Sequence, residues 1–342
     1  MAGLVGSVDA ATQQAACDDT NVDVVRFLSQ LPGYRHENPG ADDNNAIRWA
    51  ARNGRCDVVQ HLCELPVGRG VRPGAGDNYA IQWAARNGHM DVVRYLCELP
   101  ADRGVRPGAG DNNAIGCAAH NGHVDVVRYL CELPGDRGVN PATENNRPIE
   151  WAAEGGHVDV VRYLCELPAS RDANPGAGDN NAIRWAADNG HVDVVRYLCE
   201  LPRDRGVDPS AHDNYAIRFA ADDGHVDVVR YLCELPADRG VDPDNFAIRW
   251  AAEHGHVDVV RCLCELPGDR GVHPGANDNA AIRWAAEYGH LNVVRYLCDL
   301  PGDRGVDPAA HVHAMQWAAA NVVRYLCHVL LPQAQLLNHR GF

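Results

Sequence analysis

The sequence predicts an all-α repeat solenoid of about ten stacked helix pairs, and three observations predict it. First, the residue before each Ala-Ala or equivalent pair falls at Trp49, Trp83, Cys117, Trp151, Trp185, Phe219, Trp250, Trp284 and Trp317, spaced by 34 except for one step of 31 and one of 33. Second, each of the eight units from 42 to 310 carries two segments of helical apolar periodicity, divided by a glycine and closed by Leu-Pro. Third, nine of the thirteen cysteines (Cys63, Cys97, Cys131, Cys165, Cys199, Cys233, Cys264, Cys298, Cys327) recur at one repeat position. A chain of 342 residues would otherwise suggest two or three globular domains; the repeat overrides that expectation.

Each element of a unit follows from its residues. In the unit around Trp185, Asn181–Gly190 reads as a short first helix, with Asp179 and Asn180 supplying N-capping oxygens and Gly190 a left-handed stop. His191–Leu201 reads as a second helix whose buried face is Val194, Val195, Leu198 and Cys199. Pro202 ends it by driving Leu201 out of the helical region. A Gly- and Asp-rich stretch containing Gly206 and Pro209 returns the chain to the next unit. One such pair cannot cover its own apolar face, so it must stack on its neighbours.

The organisation along the chain is a degenerate N-terminal capping repeat at 1–41, eight repeats at 42–310, and a truncated C-terminal repeat and tail at 311–342. The first begins near Ser7 and shows itself through Val24-Val25, 34 residues before Val58-Val59. The last has lost four residues, close to one helical turn, which predicts one continuous helix from about His313 to Leu331. Leu330, Leu331, Leu336 and Leu337 then either cover the final interface or form an attachment site.

Composition excludes several function classes. The net charge of −15 argues against bulk nucleic acid or an anionic membrane as the main partner. All 31 basic residues are Arg. The expectation is a soluble, monomeric protein of the cytoplasm or nucleus, without a cofactor. Equivalent positions on stacked helices lie about 8–10 Å apart, beyond disulfide reach, so the ladder cysteines read as reduced, buried and apolar. Seventeen histidines invite a metal reading, but their spacing follows the repeat, and Cys262-Leu-Cys264, His254-Gly-His256 and His311-Val-His313 are isolated pairs. No phosphate loop, nucleophile elbow or zinc-protease helix is present, so no enzyme and no metal site are expected.

Across nearly its whole length the sequence resembles the ankyrin repeat. The family's Thr-Pro-Leu-His-x-Ala-Ala first helix and its Gly-His turn are most closely copied by Arg147-Pro148-Ile149-Glu150-Trp151-Ala152-Ala153-Glu154-Gly155-Gly156-His157. The Gly-His pair recurs at Gly88-His89, Gly122-His123, Gly190-His191, Gly224-His225, Gly255-His256 and Gly289-His290. Two departures stand out. Arg48, Arg184, Arg218, Arg249 and Arg283 replace the family histidine of the first helix, which removes its internal hydrogen bond. The linker Leu-Pro-x-Asp-Arg-Gly-Val-Asp-Pro redistributes length, reducing the family's projecting hairpin to a short loop.

The resemblance implies an interaction scaffold that binds a protein or peptide along its concave side, formed by first helices and loop tips. At about 100° per residue Trp49 points away from its own unit's core. The Trp row is therefore either an aromatic ladder lining the groove or packing between successive first helices. The position after Ala-Ala runs Arg52, Arg86, His120, then Glu154, Asp188, Asp222, Glu253 and Glu287, so the groove is expected to turn from basic to acidic near Glu154. Such a groove orients a partner with segments of both signs, unless the charges are merely solvated. Tyr79, Arg147, Tyr215, Phe246 and Tyr288 add bulky contact positions. On the second helix Asp193, Arg196 and Glu200 read as a solvated outer face. A passive repeat array, or a subunit recruiting substrates to a larger regulatory complex, is the alternative function.

Overall fold

A computed structural model describes residues 41–66, 71–137, 139–171, 173–267 and 272–301, with Asp23, Val322 and Val323 besides. The capping repeats expected at 1–41 and 311–342, the continuous helix over 313–331, and Trp317 lie outside these residues or touch them only at Asp23, Ala41, Val322 and Val323.

Eight helix pairs fill the described residues. They are α1 Ala41–Arg52 with α2 Cys56–Glu64, α3 Ala75–Arg86 with α4 Met90–Glu98, α5 Ala109–His120 with α6 Val124–Glu132, and α7 Thr143–Glu154 with α8 Val158–Cys165. There follow α9 Ala177–Asp188 with α10 Val192–Glu200, α11 Ala211–Asp222 with α12 Val226–Glu234, α13 Asn245–Glu253 with α14 Val257–Cys264, and α15 Ala276–Glu287 with α16 Leu291–Cys298. The chain divides into two compact units, Met1–Gly178 and Asp179–Phe342. In the first unit α1, α3, α5 and α7 pack side by side, as do α2, α4, α6 and α8. In the second, α11, α13 and α15 form one row and α10, α12, α14 and α16 another.

The core is the repeated set that the periodicity selects. Ile47, Ala50, Ala51, Val58, Val59 and Leu62 are at most 1% exposed, and their counterparts in the other pairs are buried in the same way. Alanine at two successive core positions brings first helices close together, while each buried Val, Leu or Ile contributes about 1.5–3 kcal/mol before entropy. The cysteine ladder completes this layer with free thiols. Burial pushes Cys63, Cys97 and Cys199 up to about 12 and Cys131 to about 11, so they remain protonated and inert at neutral pH.

Helix ends follow the expected grammar at three of four points. Gly88, Gly122, Gly190 and Gly224 have φ between 73° and 81°, and Leu201 before Pro202 is extended at φ −61°, ψ 147°. A 3-10 turn such as Ala101–Arg103 or Arg203–Arg205 follows, closed by left-handed Gly104 or Gly206. Among the described residues no strand forms, so this turn stands where a projecting hairpin was expected to shrink to a loop.

The fourth point corrects the sequence reading. Asp179 and Asn180 do not cap α9; they lie within its range at φ 55° and 64°, following Gly178 at 58°. The same left-handed triplet opens α3 at Gly76-Asp77-Asn78, α5 at Gly110-Asp111-Asn112, α7 at Glu144-Asn145-Asn146, α11 at His212-Asp213-Asn214 and α15 at Asn277-Asp278-Asn279. Short Asp and Asn side chains tolerate this conformation better than other non-glycine residues. The last Asn of the turn uses its oxygen elsewhere. Asn78 Oδ1 accepts from the Arg106 amide at 2.7 Å, Asn112 from Asn140 at 2.7 Å, Asn180 from Asp208 at 2.7 Å and Asn214 from Asp242 at 2.8 Å. Each bond joins residues 28 apart and ties one loop to the next.

The 31-residue step is the exception that fits. Between Pro243 and Asn245 three residues are missing relative to the stretch from Pro209 to Asn214, and α13 begins without the left-handed triplet. Here Asp244 is a true N-cap, accepting from the Phe246 and Ala247 amides at 3.0 and 3.3 Å. Asn245 still accepts from the His273 amide at 2.9 Å.

Candidate functional site

The first helices carry the side chains proposed for binding, and the Gly-His turns fix where those helices end. His89 Nε2 donates to the Arg52 carbonyl at 2.9 Å, His123 to Arg86 at 3.0 Å and His157 to His120 at 3.0 Å, the carbonyl acceptor setting the ring tautomer. A Cβ on Gly88 would lie 2.5 Å from His123 Nδ1, so glycine is required both for its φ and for the ring. The turn histidines therefore hold the C-terminal ends of first helices. Among the described residues no group of three metal-ligating side chains assembles. His254, singled out within His254-Gly-His256, points Nδ1 at Asp222 Oδ1, 2.6 Å away.

The Trp row is both packed and accessible. Trp49 and Trp185 are 39% and 37% exposed, whereas Trp83, Trp151, Phe219, Trp250 and Trp284 are half-buried. Trp151 lies over α5 so closely that a Cβ on Gly116 would meet its ring at 2.8 Å. Tyr215 stacks on Phe219 at 3.8 Å between centroids, Phe219 meets Trp250 edge-on at 5.4 Å, and Tyr288 stacks on Trp284 at 5.9 Å. These contacts spread each ring against a neighbour while leaving part of it in solvent.

In the first unit the charged row sits on those rings. Arg52 lies over Trp49 and Trp83 at 4.9 and 4.6 Å, and Arg86 over Trp83 at 5.4 Å. His120 meets Trp151 edge-on at 6.0 Å, and Glu154 is half-buried at the end of α7. Arg147 stacks on Trp151 at 5.2 Å and pairs with Glu144. In the second unit the same position holds carboxylates. Burial, then the neighbouring Asp223 carboxylate, raise Asp188 above its ordinary value; Asp222 pairs with His254. Glu253 is half-buried and Glu287 exposed.

The arginines at the family-histidine position find new partners, which sequence reasoning did not identify. Arg48 stacks on Tyr79 at 4.6 Å, Arg184 on Tyr215 at 4.2 Å, and Arg218 on Phe246 at 4.8 Å while pairing with Asp244. The signal was available: an aromatic follows Asp-Asn at Tyr79, Tyr215 and Phe246, one repeat after Arg48, Arg184 and Arg218. The outer face repeats the device, with Arg128 over Tyr163 and Arg196 over Tyr231, both at 4.8 Å. That face is an Arg-Tyr ladder across neighbouring helices, with i,i+3 Asp-Arg pairs at Asp227-Arg230 and Asp258-Arg261.

A family model for ankyrin repeats in three copies matches residues 67–141, 133–213, 169–245 and 217–312. The chain belongs to the ankyrin repeat family. Ankyrin repeats generally mediate protein–protein interaction and are typically non-enzymatic. No individual curated protein matches the chain. Against the ankyrin pattern, the departures at Arg48 and its equivalents acquire a structural meaning: the lost histidine contact is replaced by a guanidinium laid on the aromatic of the next repeat. Among the described residues no helix is long and apolar enough to cross a membrane.

Proposed function

We propose that this ankyrin repeat chain is a non-catalytic adaptor that holds a protein or peptide against its first-helix face. One observation carries the reading. The large hydrophobic side chains exposed among the described residues, Trp49, Tyr79, Trp185, Phe246 and Tyr288, lie on the first helices or at their ends, and the second helices expose none. Exposed Trp and Tyr beside Arg form the residue class that dominates binding energy at interfaces. The net charge of −15 favours a protein partner over nucleic acid or an anionic membrane.

On the first helices of the first unit Arg52, Arg86, His120 and Glu154, and on those of the second Asp188, Asp222, Glu253 and Glu287, select the partner by charge, while Tyr79 in the first unit and Tyr215, Phe246 and Tyr288 in the second supply contact area. Replacing Glu154, Asp188 and Asp222 by Arg tests the proposal by pull-down from native lysate. Loss of the partners that the unchanged chain captures is the expected result; an identical set of captured partners refutes it.

A further inference from the structure

The basic end of the first unit deepens that reading, on which it rests. We infer that Arg48, Arg52 and Arg86, laid on Tyr79, Trp49 and Trp83, form a docking surface for an extended acidic segment of a partner protein.

A chain of net charge −15 has carboxylates to spare, and several of its arginines use them: Arg147 pairs with Glu144, Arg203 with Asp238 and Arg218 with Asp244. Arg48, Arg52 and Arg86 make no ion pair among the described residues. Arg48 is held by the Tyr79 ring and by a bond from Nη1 to Asn45 Oδ1 at 3.4 Å. Arg52 is held between Trp49 and Trp83, and Arg86 is held by Trp83. Stacking satisfies the face of a guanidinium and fixes its plane, but leaves its in-plane N–H fork free for a bidentate carboxylate. The order is already present, so little side-chain entropy remains to be lost on binding. Between these side chains lies an open cleft of about 130 Å³, lined by Asn45, Arg48, Trp49, Arg52 and Trp83. The cluster ends sharply, because the position of Arg48 becomes Gln82, Gly116 and Glu150 in the next three helices.

The geometry also sets the occupant. Neighbouring first helices place Arg52 and Arg86 about 8–10 Å apart. An extended chain rises about 3.3 Å per residue, so carboxylates two or three residues apart reach both. Stacking of nucleic-acid bases is disfavoured because guanidinium groups already cover ring faces of Trp49 and Trp83.

The test measures fluorescence anisotropy of three labelled probes on the full chain, at low and high salt. The first is a peptide with Glu residues two or three positions apart, the second has Arg at those positions, and the third is a single-stranded RNA oligonucleotide. The acidic peptide binds saturably and more weakly in salt. Arg52→Gln weakens it roughly tenfold, the scale of one charge-assisted hydrogen bond. Arg52→Lys, which keeps the charge but not the fork, gives a smaller loss, and a urea midpoint for each variant confirms that it folds. Arg196→Gln, which removes a stacked arginine from a second helix, leaves binding unchanged. No binding of the acidic peptide, equal or tighter binding of the basic peptide or RNA, or an equal loss in Arg196→Gln overturns the inference. If the acidic peptide fails while capture stays sensitive to reversal of Glu154, Asp188 and Asp222, this inference falls and the adaptor reading stands.

Discussion

Asn214 and Asn245 occupy equivalent places in adjacent repeats, and replacing each by alanine separates two contributions that one substitution would mix. Asn214 accepts from the Asp242 amide at 2.8 Å, and Asn245 from the His273 amide at 2.9 Å. Both side chains are half-buried, so losing either bond costs about 1 kcal/mol. Their backbones differ. Asn214 is the third left-handed residue of its turn at φ 63°, whereas Asn245 follows an ordinary N-cap and is not left-handed. Alanine in the left-handed region costs a further 1–2 kcal/mol or so, a penalty that Asn partly escapes. Asn245→Ala should therefore destabilise by about 1 kcal/mol and Asn214→Ala by about 2 kcal/mol. Asn214→Gly, free of the backbone penalty, should return to about 1 kcal/mol. Because repeat arrays need not unfold in two states, amide exchange at Asp242 and His273 is the direct assay, with urea midpoints beside it. Equal losses for Asn214→Ala and Asn245→Ala, with no relief from glycine, would refute the account of the left-handed turn. Unchanged exchange at Asp242 in Asn214→Ala would refute the latch itself.

Two further predictions concern the scaffold. Gly88→Ala should cost about 2–4 kcal/mol and Gly104→Ala about 1 kcal/mol. Both are left-handed, but a Cβ on Gly88 runs into His123, while nothing lies within 4 Å of one on Gly104; equal urea shifts would remove the steric argument. Stability should also fall on alkaline titration. Burial raises Cys63, Cys97 and Cys199 from an ordinary 9.0 to about 12, so the unfolded chain releases these protons first. Their contribution is complete below about pH 9 and is lost as pH rises toward about 12. The urea midpoint should drop between about pH 9 and about pH 12. Cys97→Ala should flatten that slope, and an unchanged slope would count against it.

What could be read in the sequence was whatever one repeat specifies by itself. Ile47, the alanine pair and the Val-Val-x-x-Leu-Cys face repeat with helical period, and they are the buried residues. Pro202 and Gly190 act on their immediate neighbours, and the backbone obeys them. The misread element was Asp179-Asn180, because Asp and Asn favour both N-caps and left-handed turns. The choice follows the length of the loop before the helix, because Asn180 and Asn245 both accept from an amide 28 residues away and only the longer loop makes the turn. The missing three residues before Asn245 show the other outcome, an Asp that caps. The site divides in the same way. The angular position of Trp49 followed from helix geometry, but the partition of its ring between solvent and neighbour depends on the next helix. The stacking of Arg48 on Tyr79 is likewise an interaction between repeats.

The central claim is that partners meet the first-helix face, and oxidative footprinting of the aromatic side chains in a captured complex tests it most directly. Binding should protect residues among Trp49, Tyr79, Trp185, Phe246 and Tyr288, while Tyr95, Tyr163 and Tyr231 on the second helices react as in the free chain. Protection of the second-helix tyrosines with the first-helix aromatics unchanged would contradict the account.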